Sequence, residues 1–187
     1  KVIRQESISC VHFVPSMLWV FLHEVETGDC SSLRQVLCSG EALLPDHVNL
    51  FKEKFPEVRL DNLYGPTEAA IDVSSWSVPK EAKKVTVVPI GKPVANTSLY
   101  ILNSEYKPLP VGVAGGLYIG GIQVSRGYLN REELTKERFI DNPFAEGERL
   151  YYTGDLAKWL PDGNIEYIGR EDDQVKIRGY RIEFAEI

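Results

Sequence analysis

Long apolar runs are missing from this chain. None approaches the roughly 18 residues that a membrane-spanning helix needs, so no transmembrane segment is expected and membrane partners are excluded. Lys1-Val2-Ile3-Arg4-Gln5-Glu6 is followed by no apolar h-region, so a secretory signal is not expected either. Cysteine is scarce: Cys10, Cys30 and Cys38 are odd in number, show no CxxC spacing, and two of them lie in apolar strand-like runs. They read as buried free thiols of a reducing compartment, which places the protein in the cytoplasm. Only three histidines accompany them, without ligand spacing, so zinc is unsupported. No internal repeat, Walker A pattern or GxSxG is present. His12, His23 and His47 suggest no hydrolytic triad. Excess basic charge is absent as well: 21 Lys and Arg against 27 Asp and Glu leave −6, which argues against a broad nucleic-acid surface.

What is present is enough apolar residue, 43% of 187, to fill a core, which rules out disorder as the bulk description. Ile8–Val14 reads as a strand closed by Pro15, and a helix is expected over 16–25, ended by Thr27-Gly28-Asp29. Leu33–Cys38 reads as a second strand. A helix follows from Pro45-Asp46, with Val48, Leu50, Phe51 and Phe55 on its buried face, and Val58–Leu63 makes a third strand. Strand–helix alternation of this kind belongs to the parallel α/β class, whose ligands sit at the carboxyl ends of strands. After Asp72 the pattern shifts to short strands, expected at 85–90, 98–102, 116–119 and 165–168. A helix interrupts them near Arg131–Phe139, and Pro161-Asp162-Gly163-Asn164 turns a hairpin. Glu171-Asp172-Asp173-Gln174 is a charged break, after which a new strand starts at Val175. Ile182 and Phe184 begin an apolar pattern that Glu186-Ile187 leaves unfinished, so the chain reads as a piece of a longer polypeptide.

Three loops carry chemistry. Tyr64-Gly65-Pro66-Thr67-Glu68 sets a hydroxyl and a carboxylate in a tight turn at a strand end. That pair suits a phosphate oxygen and Mg²⁺, with Tyr64 as a stacking ring; a rigid turn with a capping Thr67 is the plainer alternative. Ser39-Gly40-Glu41-Ala42 repeats the logic one strand earlier, where a glycine admits close approach of backbone to a planar ligand. Tyr152-Thr153-Gly154-Asp155 sets an acid after a glycine turn, suited to ribose hydroxyls or simply to forming the turn. The glycines between Gly112 and Gly121 follow no phosphate-binding spacing and read as turns.

Asn62-Leu63-Tyr64-Gly65-Pro66-Thr67-Glu68 resembles the signature of adenylate-forming enzymes, specifically the adenylation domains of nonribosomal peptide synthetases. Three further stretches resemble the same family in the same order. They are Gly116-Leu117-Tyr118-Ile119-Gly120-Gly121 through Ser125-Arg126-Gly127-Tyr128-Leu129, then Tyr152–Asp155, then Gly169–Gly179. The resemblance implies the C-terminal portion of a large adenylation domain: a parallel α/β part at 1–78 and a mainly antiparallel, distorted-barrel part at 79–171. The hinge and first strand of a small subdomain would occupy 172–187.

The implied activity forms aminoacyl-AMP from ATP and an amino acid, with Mg²⁺, and passes the acyl group to a phosphopantetheine thiol on a peptidyl carrier domain. By the same resemblance Tyr64 would stack on adenine, Asn62 would reach its exocyclic edge, and Gly40, Glu41 and Ala42 would supply backbone around it. Thr67 would meet the α-phosphate and Glu68 the Mg²⁺. Asp155 would hold the ribose with Tyr167 nearby, Arg170 would point to ribose or phosphate, and Asp172 would be the hinge. Gly115-Gly116-Leu117 departs from the family's Gly-Glu-Leu. The side-chain pocket would be lined by His12, Leu37, Ser39, Leu63, Ile71 and Asp72, a small apolar floor beneath three polar groups. It resembles the serine-activating pattern and implies L-serine, with threonine next. The family's phosphate loop, its amine-anchoring acid and a late lysine are not among residues 1–187, so the rest of the adenylation domain is an expected partner and this piece alone is expected to be inactive. An accessory MbtH-like protein is a further expected partner. A non-catalytic or complementing fragment, and a piece of an acyl- or aryl-CoA ligase, are the alternatives.

Overall fold

The computed structural model describes residues 2–172, 174–177 and 179–182. Asp173, Arg178 and Phe184–Ile187, quoted above for the last motif and the chain end, lie outside the described residues. The chain forms two compact units: residues 1–63, 76–88 and 174–187 make the first, residues 64–75 and 89–173 the second.

In the first unit, a short helix α1 (Val2–Gln5) precedes β1 (Cys10–Phe13), α2 (Pro15–Glu24), β2 (Gln35–Cys38), α3 (Pro45–Lys54) and β3 (Arg59–Tyr64). The three strands pair in parallel in the order β1-β2-β3, with His12 opposite Leu37 and Leu37 opposite Asp61. Both α2 and α3 start with proline at their first turn, where its missing N–H costs nothing. Thr27–Cys30, expected as a plain stop, forms one 3₁₀ turn.

Alternation along each strand decides which residues enter the core. Val36, Cys38 and Leu60 face Leu18 and Leu22 of α2 and Val48 and Phe51 of α3, all nearly inaccessible. Each such side chain contributes about 1.5–3 kcal/mol on burial. The opposite set, His12, Leu37 and Asp61, lies on the other face by register. Cys10 belongs to that face, two residues from His12. It is therefore exposed rather than buried, while Cys30 and Cys38 are buried as expected.

The second unit contains β5 (Lys92–Pro93), β6 (Thr97–Leu102), β7 (Gly115–Gly121), α4 (Glu132–Arg138), β8 (Phe139–Asp141), β9 (Arg149–Trp159) and β10 (Ile165–Arg170). Of these, β6 to β10 build an antiparallel sheet of order β10-β9-β7-β6, with β8 on β9. Leu99, Ile101, Leu117, Ile119, Tyr151 and Ile165 form its core. The architecture is thus mixed parallel and antiparallel α/β, as expected from the sequence.

Three expectations are corrected. Residues 85–90 form no strand: both backbone groups of Val85 bond to the Asn49 side-chain amide, at 2.9 and 3.0 Å, and Pro89 has no N–H to offer a ladder. A strand that was not expected, β4 (Ser74–Ser77), has one apolar residue among three serines, so it carries no strand signal. Tyr152-Thr153-Gly154-Asp155 is no turn but the middle of the 11-residue β9. At the chain end, β11 (Val175–Ile177) and β12 (Tyr180–Ile182) pair as a hairpin of the first unit.

Candidate functional site

In the first unit the candidate residues gather at the carboxyl ends of β1 and β2. His12 Nε2 and Ser39 Oγ are 2.8 Å apart. Leu37 and Leu63 are half-buried, and Leu63 lies two residues beyond Asp61 on the same strand face. Asn62 points to the other face and is buried. Gly40 turns the chain out of β2 with φ +88°, and Ala42 follows, exposed, on the loop. Glu41 has a side-chain role that its motif does not announce. One carboxylate oxygen accepts from the Ser16 amide at 3.0 Å and the other from the Gly179 amide at 2.9 Å. Ser16 lies in the first turn of α2, where Val14 at the N-cap provides no side-chain bond. Glu41 therefore caps α2 from a distance, an arrangement the helix dipole favours.

Asp61 was also missed. Its buried carboxylate accepts from Gln35 Nε2 at 2.7 Å, from Arg59 Nε at 2.8 Å and from the Ser77 hydroxyl. Alternation alone could have placed it beside Leu37, although nothing in the sequence names its partners.

In the second unit, residues 64–73 close into a loop, with the Val73 amide donating to the Tyr64 carbonyl at 2.8 Å. The closure demands glycine at position 65, because a Cβ there would stand 2.1 Å from the Ile71 carbonyl oxygen. Thr67–Ala69 is a 3₁₀ turn, and Ala70 and Ile71 both have positive φ. Thr67 faces solvent while Glu68 is buried, so these neighbours diverge rather than present a joint surface. Glu68 Oε1 accepts a hydrogen bond from Tyr128 Oη at 2.7 Å. Ile71 is exposed; Asp72 is half-buried and its carbonyl accepts from Gln123 Nε2 at 3.2 Å.

The densest polar cluster surrounds Asp155. Asp155 and Arg170 are direct cross-strand partners on β9 and β10, and Arg170 Nη1 donates to Asp155 Oδ1 at 2.7 Å. The Tyr64 hydroxyl donates to Asp155 Oδ2. Arg170 then forks onto Asp172, Nε to Oδ1 at 2.5 Å and Nη2 to Oδ2 at 2.7 Å. Arg138 stands 3.8 Å from the same Asp172 carboxylate. Gly154 makes room, since a Cβ would come within 2.8 Å of both Arg170 Nη2 and Asp172 Oδ2.

The electrostatics follow the geometry. Burial, then the Asp155 charge, hold the Tyr64 phenol well above its ordinary value. The same two causes push Tyr167 up to about 12. Burial alone would ease the proton off Arg170, but hydrogen bonds to Asp172 and the charges of Asp155 and Asp172 outweigh it and the guanidinium stays charged. Gly116, the departure from the family pattern, faces the stacked rings of Tyr118 and Tyr152, whose centroids are 4.9 Å apart. A Cβ at 116 would approach both rings to 3.2 and 3.3 Å, so the absent side chain leaves space for the stack.

Magnesium is commonly held by one or two carboxylates together with substrate phosphates. The described residues contain no group of three or more His, Cys, Asp or Glu able to hold a metal. One buried carboxylate, Glu68, suits an ion that arrives with a nucleotide whose phosphates bring further oxygen ligands. No helix among the described residues is long and apolar enough to cross a membrane.

Known proteins resemble the chain in family, in sequence and in fold. The family described as AMP-binding enzyme matches residues 1–129. Tyrocidine synthase 3 of Brevibacillus parabrevis is 49% identical over 187 positions, covering 100% of this chain and 3% of that protein. Enterobactin synthase component F of Escherichia coli (strain K12) is 51% identical over 187 positions, covering 96% of this chain and 14% of that protein. Among solved structures, holo-PA1221, a nonribosomal peptide synthetase protein containing adenylation and PCP domains bound to a vinylsulfonamide inhibitor, superimposes with a TM-score of 0.88 at 28% identity. It covers 98% of this chain and 32% of that one. The chain therefore spans a small part of the curated relatives it matches and about a third of the solved one.

Proposed function

Because the chain belongs to the AMP-binding enzyme family, we propose that it is part of an adenylation domain that activates an amino acid, L-serine, with ATP. The observation that carries this reading is the Tyr64–Asp155–Arg170 cluster: an aromatic ring, a buried acid and a guanidinium, drawn from three separate motifs, meet within hydrogen-bond distance. These are the groups a nucleoside phosphate needs. In the proposed reaction the amino-acid carboxylate attacks the α-phosphorus of ATP and pyrophosphate leaves, so the protein's task is alignment and neutralisation of developing charge.

Asp155 takes the ribose hydroxyls, with Tyr167 beside it, and Tyr64 lies along the adenine. Asn62 and the backbone of Gly40, Glu41 and Ala42 border the base. Thr67 contacts the α-phosphate, Arg170 the ribose or a phosphate, and Glu68 holds Mg²⁺. The ion supplies charge neutralisation on the phosphates when bound. His12, Leu37, Ser39, Leu63, Ile71 and Asp72 recognise the amino-acid side chain. The 2.8 Å pair of His12 and Ser39 supports a small hydroxylated side chain, because a large apolar one would desolvate these polar groups without bonding to them, at about 1–3 kcal/mol for each left unpaired. Asp172 serves as the hinge, with 172–187 as the start of a small subdomain following parts at 1–78 and 79–171. Likeness to a solved protein with adenylation and PCP domains supports a peptidyl carrier domain, through its phosphopantetheine thiol, as the acceptor of the acyl group.

Amino-acid-dependent ATP–pyrophosphate exchange on the full-length polypeptide tests the reading, with all twenty amino acids and Asp72→Ala alongside. Exchange with serine, weaker with threonine and lost in the variant, is expected. Exchange with a large apolar amino acid would overturn the pocket assignment, and none with any amino acid would favour an acyl or aryl acid as substrate.

A further inference from the structure

We infer that Tyr128 is a positioning residue for the Glu68 carboxylate, fixing the direction in which that carboxylate meets a nucleotide-bound Mg²⁺. The inference rests on the reading of Glu68 as the Mg²⁺ ligand. Glu68 is buried, and a buried carboxylate is costly unless hydrogen bonds compensate it. Tyr128 Oη donates one such bond to Oε1 at 2.7 Å. With Oε1 tied, rotation of the carboxylate about its last bond is restricted and the bearing of Oε2 is set.

Tyr128 is itself held more firmly than a loop tyrosine needs to be. Its amide donates to Thr135 Oγ1 at 2.9 Å, and that hydroxyl donates back to the Arg131 carbonyl at 2.9 Å. Its ring meets Phe139 edge-on at 5.5 Å. The preceding segment is strapped down by Arg149, which donates to the Ser125 and Arg126 carbonyls, both at 2.9 Å. The Ser125 amide in turn donates to the Glu68 carbonyl at 2.8 Å. One segment, residues 125–128, thus grips Glu68 twice, once by its backbone and once by its carboxylate. The hydroxyl aimed at the acid offsets the cost of burying that charge and fixes its orientation at the same time, and ligating carboxylates work best when their orientation is fixed by such partners.

The test uses Tyr128→Phe, which keeps the ring against Phe139 and removes only the hydroxyl, in the full-length polypeptide. Mn²⁺ binding is read by electron paramagnetic resonance with a non-hydrolysable ATP analogue, and Mg²⁺ dependence by pyrophosphate exchange. Mn²⁺ affinity is expected to fall about tenfold or more, with the KM for the amino acid unchanged, and Tyr128→Phe is expected to add nothing to Glu68→Gln. Unchanged Mn²⁺ affinity in Tyr128→Phe, where Glu68→Gln weakens it, would overturn the inference while leaving Glu68 as the ligand. Parent affinity in Glu68→Gln would instead remove the reading on which the inference rests. Should Tyr128→Phe melt below the parent, Thr135→Val loosens the Tyr128 backbone without touching its ring: weakened Mn²⁺ binding there supports the inference and unaltered binding overturns it.

Discussion

His12 Nε2 and Ser39 Oγ lie 2.8 Å apart, one on β1 and the other just beyond β2, on the sheet face turned away from the helices. If this pair receives the hydroxyl of a serine substrate, His12→Ala and Ser39→Ala should each lower kcat/KM for serine-dependent exchange about 10- to 100-fold. The double variant should lose less than the product of the two, because the residues share one interaction. Serine exchange at parental rates in both single variants would discard the pocket assignment.

Arg170 joins two acids, Asp155 and Asp172. Arg170→Ala should cost about 3 kcal/mol of folding stability, the lower end for removing one partner of a buried pair, since Asp172 keeps partial access to water. Arg170→Lys cannot reproduce the fork onto Asp172 and should recover only part of that loss. Urea denaturation of the three proteins provides the comparison.

Gly65 has no room for a side chain beside the Ile71 carbonyl. Gly65→Ala should open the 64–73 loop and displace Thr67 and Glu68 by an ångström or so. A displacement of that size costs about 100-fold in rate, read by exchange kinetics in protein that remains folded by circular dichroism.

Of the three thiols, Cys10 is exposed while Cys30 and Cys38 are buried, and burial pushes Cys38 up to about 12. Iodoacetamide at pH 8 should modify Cys10 alone in the native protein and all three in denaturant. Peptide mass spectrometry identifies the adducts, and rapid native labelling at Cys38 would contradict the packing of β2 on α2 and α3.

Alkali should weaken the fold for a definable reason. Burial raises Tyr64 well above the ordinary phenol value, and Tyr118 and Tyr167 to about 12. In the unfolded chain these phenols ionise near pH 10. Below that pH both states are protonated and their contribution is fully present. As pH climbs from that value towards the raised folded ones, the unfolded state gains by releasing protons and stability falls. Urea midpoints should be level in tyrosine's contribution up to about pH 9 and decline beyond about pH 10. A midpoint still level at pH 11 would show that these phenols are open to water.

Much of the fold was legible in the residues. Helices α2 and α3 begin at prolines and end near where apolar spacing stops, and the β9–β10 hairpin turns at Pro161-Asp162-Gly163-Asn164. The failures have separate causes. Val85 and Ile90 are apolar and buried, yet their stretch takes its hydrogen bonds from the Asn49 and Ser74 side chains and from the Ile165 carbonyl, and composition cannot reveal a bonding partner. Gly154 resembled a turn former but is a strand residue whose missing side chain makes way for Arg170 and Asp172.

The sequence by itself determined most of the elements, the parallel-to-antiparallel change of texture and the motif residues, since these depend on periodicity, turn chemistry and local spacing. Only the tertiary structure decided which groups pair. Asp155 meets Tyr64 and Arg170, Glu68 turns inward to Tyr128, and Glu41 reaches back to cap α2. Those partners are 91, 15, 60 and 25 residues apart in the chain. Contacts over such separations are set by strand register and core packing, which no local pattern encodes.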